Sequence, residues 1–223
     1  LNFIKRRISG EPLQYILGEW SFMGFDFKVG RGVLIPRDDT EVVVNLCIDF
    51  LKNRADKKTV DLCSGSGAIA VALDKISGAK VTAVEIDETA FSYLETNVKE
   101  NNSSVKPVMA DALKICDTFA DGGLDLIVSN PPYIKSADIE TLQKEVQLEP
   151  RLALDGGEDG CDFYREIVSR WSRKLKKGGA LAFELGEGQA DAVKALMTDK
   201  GFSDFKISLD FGGVQRAIIG TLL

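Results

Sequence analysis

The sequence predicts an α/β fold, a Rossmann-like seven-stranded and mostly parallel sheet with helices on both faces. Three features of the chain point to it. From residue 59 onward, short apolar or β-branched runs alternate with longer stretches of helical spacing. A glycine-rich turn, Cys63-Ser64-Gly65-Ser66-Gly67, joins the first of these runs to the first helix. The last two runs are separated only by a short turn at Gly212-Gly213, so they are expected to close the domain as an antiparallel β-hairpin at a sheet edge.

In chain order, Leu1 to Ile8 reads as the last turns of a helix. Residues 10–35 are punctuated by glycine, with Trp20, Phe22, Phe25 and Phe27 set among polar residues, and read as a short β-hairpin leading in. Val43, Leu46, Cys47, Phe50 and Leu51 follow i, i+3, i+4, i+7, i+8 spacing and mark one apolar helix face, which makes Cys47 a packing residue. Asp38 and Glu41 have the spacing of a reciprocal N-terminal cap, with Thr40 as an alternative cap one step later. Strands are expected near Thr59-Cys63, Lys80-Ile86, Val105-Ala110, Leu124-Ser129, Ala180-Leu185, Phe205-Asp210 and Gln215-Thr221, with helices between the first six.

The 223 residues suffice to bury a full core, and 44% hydrophobic with 28% charged residues is an ordinary globular composition. No apolar run approaches the roughly 18 residues of a membrane span, and the first residues lack the apolar core and cleavage site of a signal peptide. Leu1 is not an initiator methionine, so the chain is expected to belong to something longer. Cys47, Cys63, Cys116 and Cys161 are widely spaced, which suggests neither a zinc site nor a disulfide framework and places the protein in a reducing cytoplasm. Having no histidine, the chain cannot supply a serine-histidine triad, a histidine metal ligand or a histidine general base. A formal net charge of -6 argues against a surface built to neutralise phosphates. A monomer without metal, membrane or direct nucleic-acid contact is expected.

In the glycine turn, Gly65 and Gly67 permit torsions and close ligand approach that a Cβ would obstruct. Gly65-Ser66-Gly67-Ala68-Ile69-Ala70 matches the G-x-G-x-x-A pattern of dinucleotide sites, and Glu85 falls 20 residues after Gly65 at the end of the next strand. Taken alone, the motif leaves a dinucleotide and S-adenosylmethionine both open, since each presents a ribose to that strand end. Asp61, ending the first strand, favours the second ligand. Its carboxylate can reach an amino group on a methionine portion, whereas a pyrophosphate would be repelled. Asp111 ends the third strand, where its carboxylate or the Ala112 amide meets the adenine edge. Singly, Glu85 reads as a solvated acid before Asp87 and each aspartate as a helix cap. Their shared place at strand carboxyl ends sets all three along one crevice.

After the fourth strand comes Asn130-Pro131-Pro132-Tyr133, where two prolines fix φ and offer carbonyls without N–H groups. An amide NH2 has two hydrogens, so the Asn130 side-chain oxygen and the Pro131 carbonyl can each accept one and aim the nitrogen at a methyl carbon. Tyr133 is expected to stack on the planar group and exclude water. The amide lone pair is delocalised and poorly nucleophilic. Two acceptors return electron density to nitrogen and stabilise the positive charge that grows there. In-line positioning supplies up to roughly 7–11 kcal/mol, so no strong base is required. The plainer alternative is that Pro131-Pro132 ends a strand and Tyr133 packs upon it.

Together with Gly10-Glu11-Pro12-Leu13-Gln14-Tyr15-Ile16, Leu34-Ile35-Pro36-Arg37-Asp38-Asp39-Thr40-Glu41, Asp61 through Ala70 and the Glu149-to-Gly160 loop, these motifs make the sequence resemble the release-factor glutamine methyltransferase family (PrmC or HemK) over nearly its whole length. The resemblance implies a class I methyltransferase fold and S-adenosyl-L-methionine as cofactor, leaving S-adenosyl-L-homocysteine as product. It further implies N5-methylation of the glutamine in the Gly-Gly-Gln motif of a peptide-chain release factor. By the same resemblance, Cys63, Ser64, Gly65, Ser66, Gly67, Glu85, Asp111, Ala112 and Asn130 contact the cofactor, with Leu34 as an apolar wall. Asn130, Pro131, Pro132 and Tyr133 would hold the glutamine. A salt bridge beside the helix start explains Arg37 equally well. The family also implies that residues 1–35 are the end of an N-terminal helical domain plus a hairpin linker, and 36–223 the catalytic domain.

Two departures stand out: family members commonly have glycine and then threonine or serine where Cys63-Ser64 stand, and Pro-Glu where Asp38-Asp39 stand. Cysteine is small enough to leave the loop usable. An adenine-N6 methyltransferase is the nearest rival, because the exocyclic amine has the same planar geometry, but the acidic balance counts against it. A ribosomal-protein glutamine shares the chemistry. A non-catalytic cofactor-binding partner subunit would have no use for Asn130 to Tyr133.

Overall fold

The computed structural model describes residues 2–223, so Leu1, expected in the first helix, lies outside the described residues. Two short helices, α1 (Asn2–Ile8) and α2 (Leu13–Leu17), lead into an antiparallel hairpin of β1 (Glu19–Phe22) and β2 (Phe25–Lys28). The chain continues through α3 (Thr40–Leu51), β3 (Lys58–Leu62), α4 (Ala68–Ser77), β4 (Lys80–Glu85), α5 (Glu88–Glu100) and β5 (Lys106–Met109). It ends with β6 (Leu124–Ser129), α6 (Lys144–Gln147), α7 (Asp162–Trp171), β7 (Leu175–Glu184), α8 (Ala190–Thr198), β8 (Phe202–Leu209) and β9 (Gln215–Leu222).

The seven expected strands form one sheet in the order β5-β4-β3-β6-β7-β9-β8. The first five in that order are parallel to their neighbours, while β9 runs antiparallel to both β7 and β8. The closing hairpin therefore threads β9 inside and leaves β8 as the edge. Alternation of side chains along each strand divides the apolar residues between two cores. Val60, Leu62, Ile127, Leu181 and Phe183 pack beneath α7 and α8, whereas Ala83, Leu126, Val128 and Ala182 pack beneath α3, α4 and α5 together with the first hairpin. On α3, Val43, Cys47 and Leu51 are fully buried, with Leu46 and Phe50 packed partly against the same core.

Three expectations need correction. Between β5 and β6 there is no α-helix but a single 3-10 turn, Ile115–Thr118, and the Trp171 indole N–H bonds the Ala112 carbonyl at 2.9 Å. That bond fastens the segment to α7 as an irregular connection. Strand β7 begins five residues earlier than the apolar run Ala180-Leu185 suggests, because its register against β6 shifts between Leu124 and Leu126. Gly179 sits at this irregularity, where an added Cβ would fall 2.9 to 3.2 Å from three backbone oxygens. Finally, neither Asp38 and Glu41 nor Thr40 caps α3 with a side chain. Glu41 instead accepts the Met23 N–H of the hairpin at 2.9 Å, and Thr40 faces Asn130.

The chain leaves β3 toward one side of the sheet and returns through β6 to its other side. This reversal opens a crevice at the carboxyl ends of the central strands, the place where open α/β sheets bind ligands.

Candidate active site

Three backbone turns of positive φ shape the loop after β3: Cys63 (59°), Gly65 (53°) and Gly67 (84°). Cys63 thus holds a left-handed conformation that favours glycine, which accounts for the residue type expected there. Gly67 is required twice over, by its torsion and because a Cβ would lie 2.5 Å from Leu94 Cδ1 on α5. The loop's shape is fixed by Glu85 at the end of β4. Its Oε2 accepts the Gly65 N–H at 2.7 Å, and its Oε1 accepts the Ile86 and Asp87 N–H groups at 2.8 and 2.9 Å. Three backbone donors leave this carboxylate little free capacity toward a ligand, so Glu85 builds the loop as well as facing the crevice.

Around the loop lies a cavity of about 240 Å³. Leu34, Cys63, Ser64, Gly65, Ser66, Glu85, Asp111, Ala112, Asn130 and Pro132 all line it. Asp61, Gly67, Pro131 and Tyr133 are not among its walls. Ile35, Pro36, Ile69, Pro150, Leu152 and Phe163 add apolar surface, a role the sequence motifs did not assign to them. Asp111 bonds the Leu113 N–H at 2.8 Å and the Lys114 ammonium at 2.8 Å. Although partial burial raises its carboxyl, these partners hold it below the usual range.

Asp61 lies behind the loop, wholly buried, and neither carboxylate oxygen has a hydrogen-bond partner among the described residues. Burial pushes its carboxyl up to about 8 against the pull of the nearby Ser64 hydroxyl, which itself bonds the Asp61 backbone carbonyl, and the charge of Glu85 raises it further. Buried carboxylates are normally paired, so this orphan suits a cationic group such as an amine. The donor set therefore fits a ligand with an adenosine portion and an ammonium.

Asn130 follows β6 and donates from Nδ2 to Thr40 Oγ1 at 3.4 Å, which leaves its carbonyl oxygen free as an acceptor. Tyr133 departs from expectation in its setting. Its hydroxyl donates to Glu184 Oε1 at 3.0 Å, and burial next to that carboxylate drives the phenol well above its ordinary value. The ring is thus packed against the end of β7 rather than presented to the cavity.

The 150–160 loop is zipped onto this segment. Ile134 N–H bonds Leu154 O at 2.9 Å, Gly156 N–H bonds Ile134 O at 2.8 Å, and Ser136 N–H bonds Gly157 O at 2.9 Å. A Cβ on Gly156 would lie 2.7 Å from Tyr133 Cα and 2.8 Å from Pro132 O. Gln189 adds a second clamp, donating from Nε2 to Tyr133 O at 3.0 Å and Gly160 O at 3.2 Å. Its Oε1 accepts from Gly186 N–H at 2.9 Å and lies 3.2 Å from the Tyr164 hydroxyl oxygen. Sequence reading missed Glu184 and Gln189. The signal was present for Glu184, an acid ending a buried apolar run as Glu85 does.

Residues 37–158 match the family described as Methyltransferase small domain. The chain is 43% identical to a release factor glutamine methyltransferase of Geobacter sulfurreducens, aligning over 99% of this chain and 77% of the relative. It is 41% identical to one of Fusobacterium nucleatum over 94% of this chain and 59% of the relative, so it spans less than two thirds of that protein. A solved methyltransferase from Pyrococcus furiosus shares the fold with a TM-score of 0.67 at 22% identity, covering 99% of this chain and 98% of that one. Identity of this extent across almost the whole chain, on a sheet of this order, places the protein among methyl-transferring enzymes, and it belongs to the release factor glutamine methyltransferase family.

Proposed function

We propose that this protein methylates the side-chain nitrogen of a glutamine in the Gly-Gly-Gln motif of a peptide-chain release factor, with S-adenosylmethionine as donor. The observation that carries the reading is Asn130. At the carboxyl end of β6 it lines the cavity with its amide N–H engaged by Thr40, so its oxygen is left as an acceptor for a planar NH2. When bound, S-adenosylmethionine supplies an electrophilic methyl carbon. Asp61 would take its ammonium, the 63–67 loop and Glu85 its ribose side, Asp111 and Ala112 its adenine edge, and Leu34 an apolar face.

The chain's own residues do the rest. Asn130 Oδ1 and the Pro131 carbonyl accept the two amide hydrogens, orient the nitrogen and stabilise the positive charge that builds upon it. Pro132 walls the space, and Tyr133, held by Glu184 and Gln189, keeps the segment rigid. The surplus proton leaves the nitrogen afterwards, so no side chain is required as a strong base. A release factor is the partner we infer, in the cytoplasm, with residues 1–35 acting as the end of a helical domain and a linker. Among the described residues no helix is long and apolar enough to cross a membrane.

The test is incubation with labelled S-adenosylmethionine and either a release factor or an oligonucleotide, followed by mass spectrometry of the acceptor. Methyl on the Gly-Gly-Gln glutamine is expected. Methyl on nucleic acid alone would overturn the reading.

A further inference from the structure

We propose, building on that reading of Asn130, that Glu184 and Thr40 are positioning residues for the transfer, holding the Asn130 amide with its oxygen toward the substrate. An asparagine amide has two ends of nearly equal shape, one accepting and one donating. Only the orientation with oxygen toward the substrate NH2 is productive, and something must choose it.

Thr40 makes the choice locally, because its hydroxyl oxygen accepts from Asn130 Nδ2 at 3.4 Å. A hydroxyl that accepts there has its own hydrogen to place, and the Glu184 carboxyl, which Thr40 pulls down and whose buried Oε2 has no other partner, is the acceptor it can turn to. Glu184 is 2% exposed at the last position of β7. Its Oε1 accepts the Tyr133 hydroxyl at 3.0 Å, while Oε2 is buried with no hydrogen-bond partner among the described residues. The Tyr164 hydroxyl bonds its backbone carbonyl at 2.8 Å and fixes the residue from α7. One carboxylate thus anchors Tyr133 directly and, in the relay we propose, sets the Thr40 hydroxyl that holds Asn130.

A purely structural role explains this poorly, since a buried carboxylate lacking a direct ion pair is costly where an apolar side chain would pack. The charged and titratable groups around it are Arg216 on β9, Asp39 before α3, Tyr133 and Tyr164. Arg216 is already committed, bonding the Asp210 carboxylate at 3.0 Å and Leu185 O at 3.0 Å, with Asp39 at 3.5 Å. Burial pushes the Glu184 carboxyl up to about 7, against the pull of Thr40, Tyr133 and Arg216, and Asp39 raises it further. Below that pH the carboxyl is protonated and its hold on the two hydroxyls weakens, so turnover falls as pH drops through about 7.

The experiment compares wild type, Glu184→Gln and Thr40→Val for methyl transfer to a purified release factor on both sides of pH 7, with cofactor affinity by calorimetry and folding by thermal denaturation. Glu184→Gln should lower kcat roughly 10- to 100-fold, as small misplacements of reacting groups do, at unchanged cofactor affinity, and should flatten the limb near pH 7. Thr40→Val should lose kcat similarly, and the double variant should be no worse than the worse single one. A folded Glu184→Gln with wild-type kcat and pH profile overturns the proposal. Should that variant not fold, Thr40→Val decides, and a kcat equal to wild type overturns it. These failures leave wild type active on glutamine. A wild type inactive on glutamine overturns the functional reading itself and this proposal with it.

Discussion

The Arg37 guanidinium is bonded to the carboxylate of Glu149, 112 residues further along, and the same carboxylate accepts the Ile35 N–H at 3.0 Å. One side chain thereby ties the Leu34–Pro36 wall of the cavity to the Pro150–Ala153 wall. The Glu149 side chain is 1% exposed and that of Arg37 37%. Arg37→Ala would strand a buried carboxylate with one N–H partner, at a cost of about 1–3 kcal/mol after allowing for the solvent-exposed guanidinium. Cofactor affinity should weaken more than kcat. Calorimetric titration with thermal denaturation checks this, and no change in either would remove the bridge as the tie between the walls.

Asn130→Ala should keep the fold and lose roughly 10²- to 10³-fold in kcat, the usual scale for removing one transition-state hydrogen bond. Steady-state methylation of a release factor reads the loss. Methylation at the wild-type rate would take Asn130 out of the chemistry.

Asp61 makes a prediction about protons. Its folded carboxyl is raised from 3.8 to about 8, so between those values the folded protein binds more protons than the unfolded chain. Stability without ligand therefore decreases as pH rises through that window. A bound ammonium would favour the charged carboxylate, so binding S-adenosylmethionine near pH 7 should release a proton. Titration calorimetry in two buffers of different ionisation enthalpy detects it. Asp61→Asn should abolish the buffer dependence, weaken binding and flatten the stability profile across the window.

Gly156→Ala tests the zipper between the 150–160 loop and the reactive segment. With a Cβ 2.7 Å from Tyr133 Cα and 2.8 Å from Pro132 O, backbone has to move. Overpacking of this kind costs about 1–3 kcal/mol, and activity should fall further than stability because the displaced atoms adjoin Asn130. Equal activity at equal protein concentration would show that the segment tolerates the shift.

How far the sequence was legible depended on how local each cause was. Strands β3, β4 and β6 are largely buried on both faces and advertise themselves as short apolar runs. The start of β7 did not, because Lys176-Lys177-Gly178-Gly179 looks like a turn. Lys176 in fact pairs with Asp125 at 3.0 Å and Gly179 fits against backbone oxygens. The expected α3 cap failed for a similar reason: Glu41 is claimed by Met23 in the hairpin. Within the site, Leu34, Asp111 and Asn130 reach the cavity as their strand-end or flanking positions suggested. Tyr133 did not, since Glu184, 51 residues away, draws its hydroxyl toward the end of β7 and Gln189, 56 residues away, holds its backbone carbonyl.

Cys63 places a thiol on the wall of a cavity read here as holding a reactive alkyl donor. Thiolates, not thiols, attack such electrophiles. Burial, with the nearby charges of Glu85, Asp61 and Asp111, drives the Cys63 thiol far above its ordinary value despite the counteracting Ser129 hydroxyl. Burial first, and the acids that frame the site second, thus hold its sulfur as a thiol, the form that attacks such electrophiles poorly.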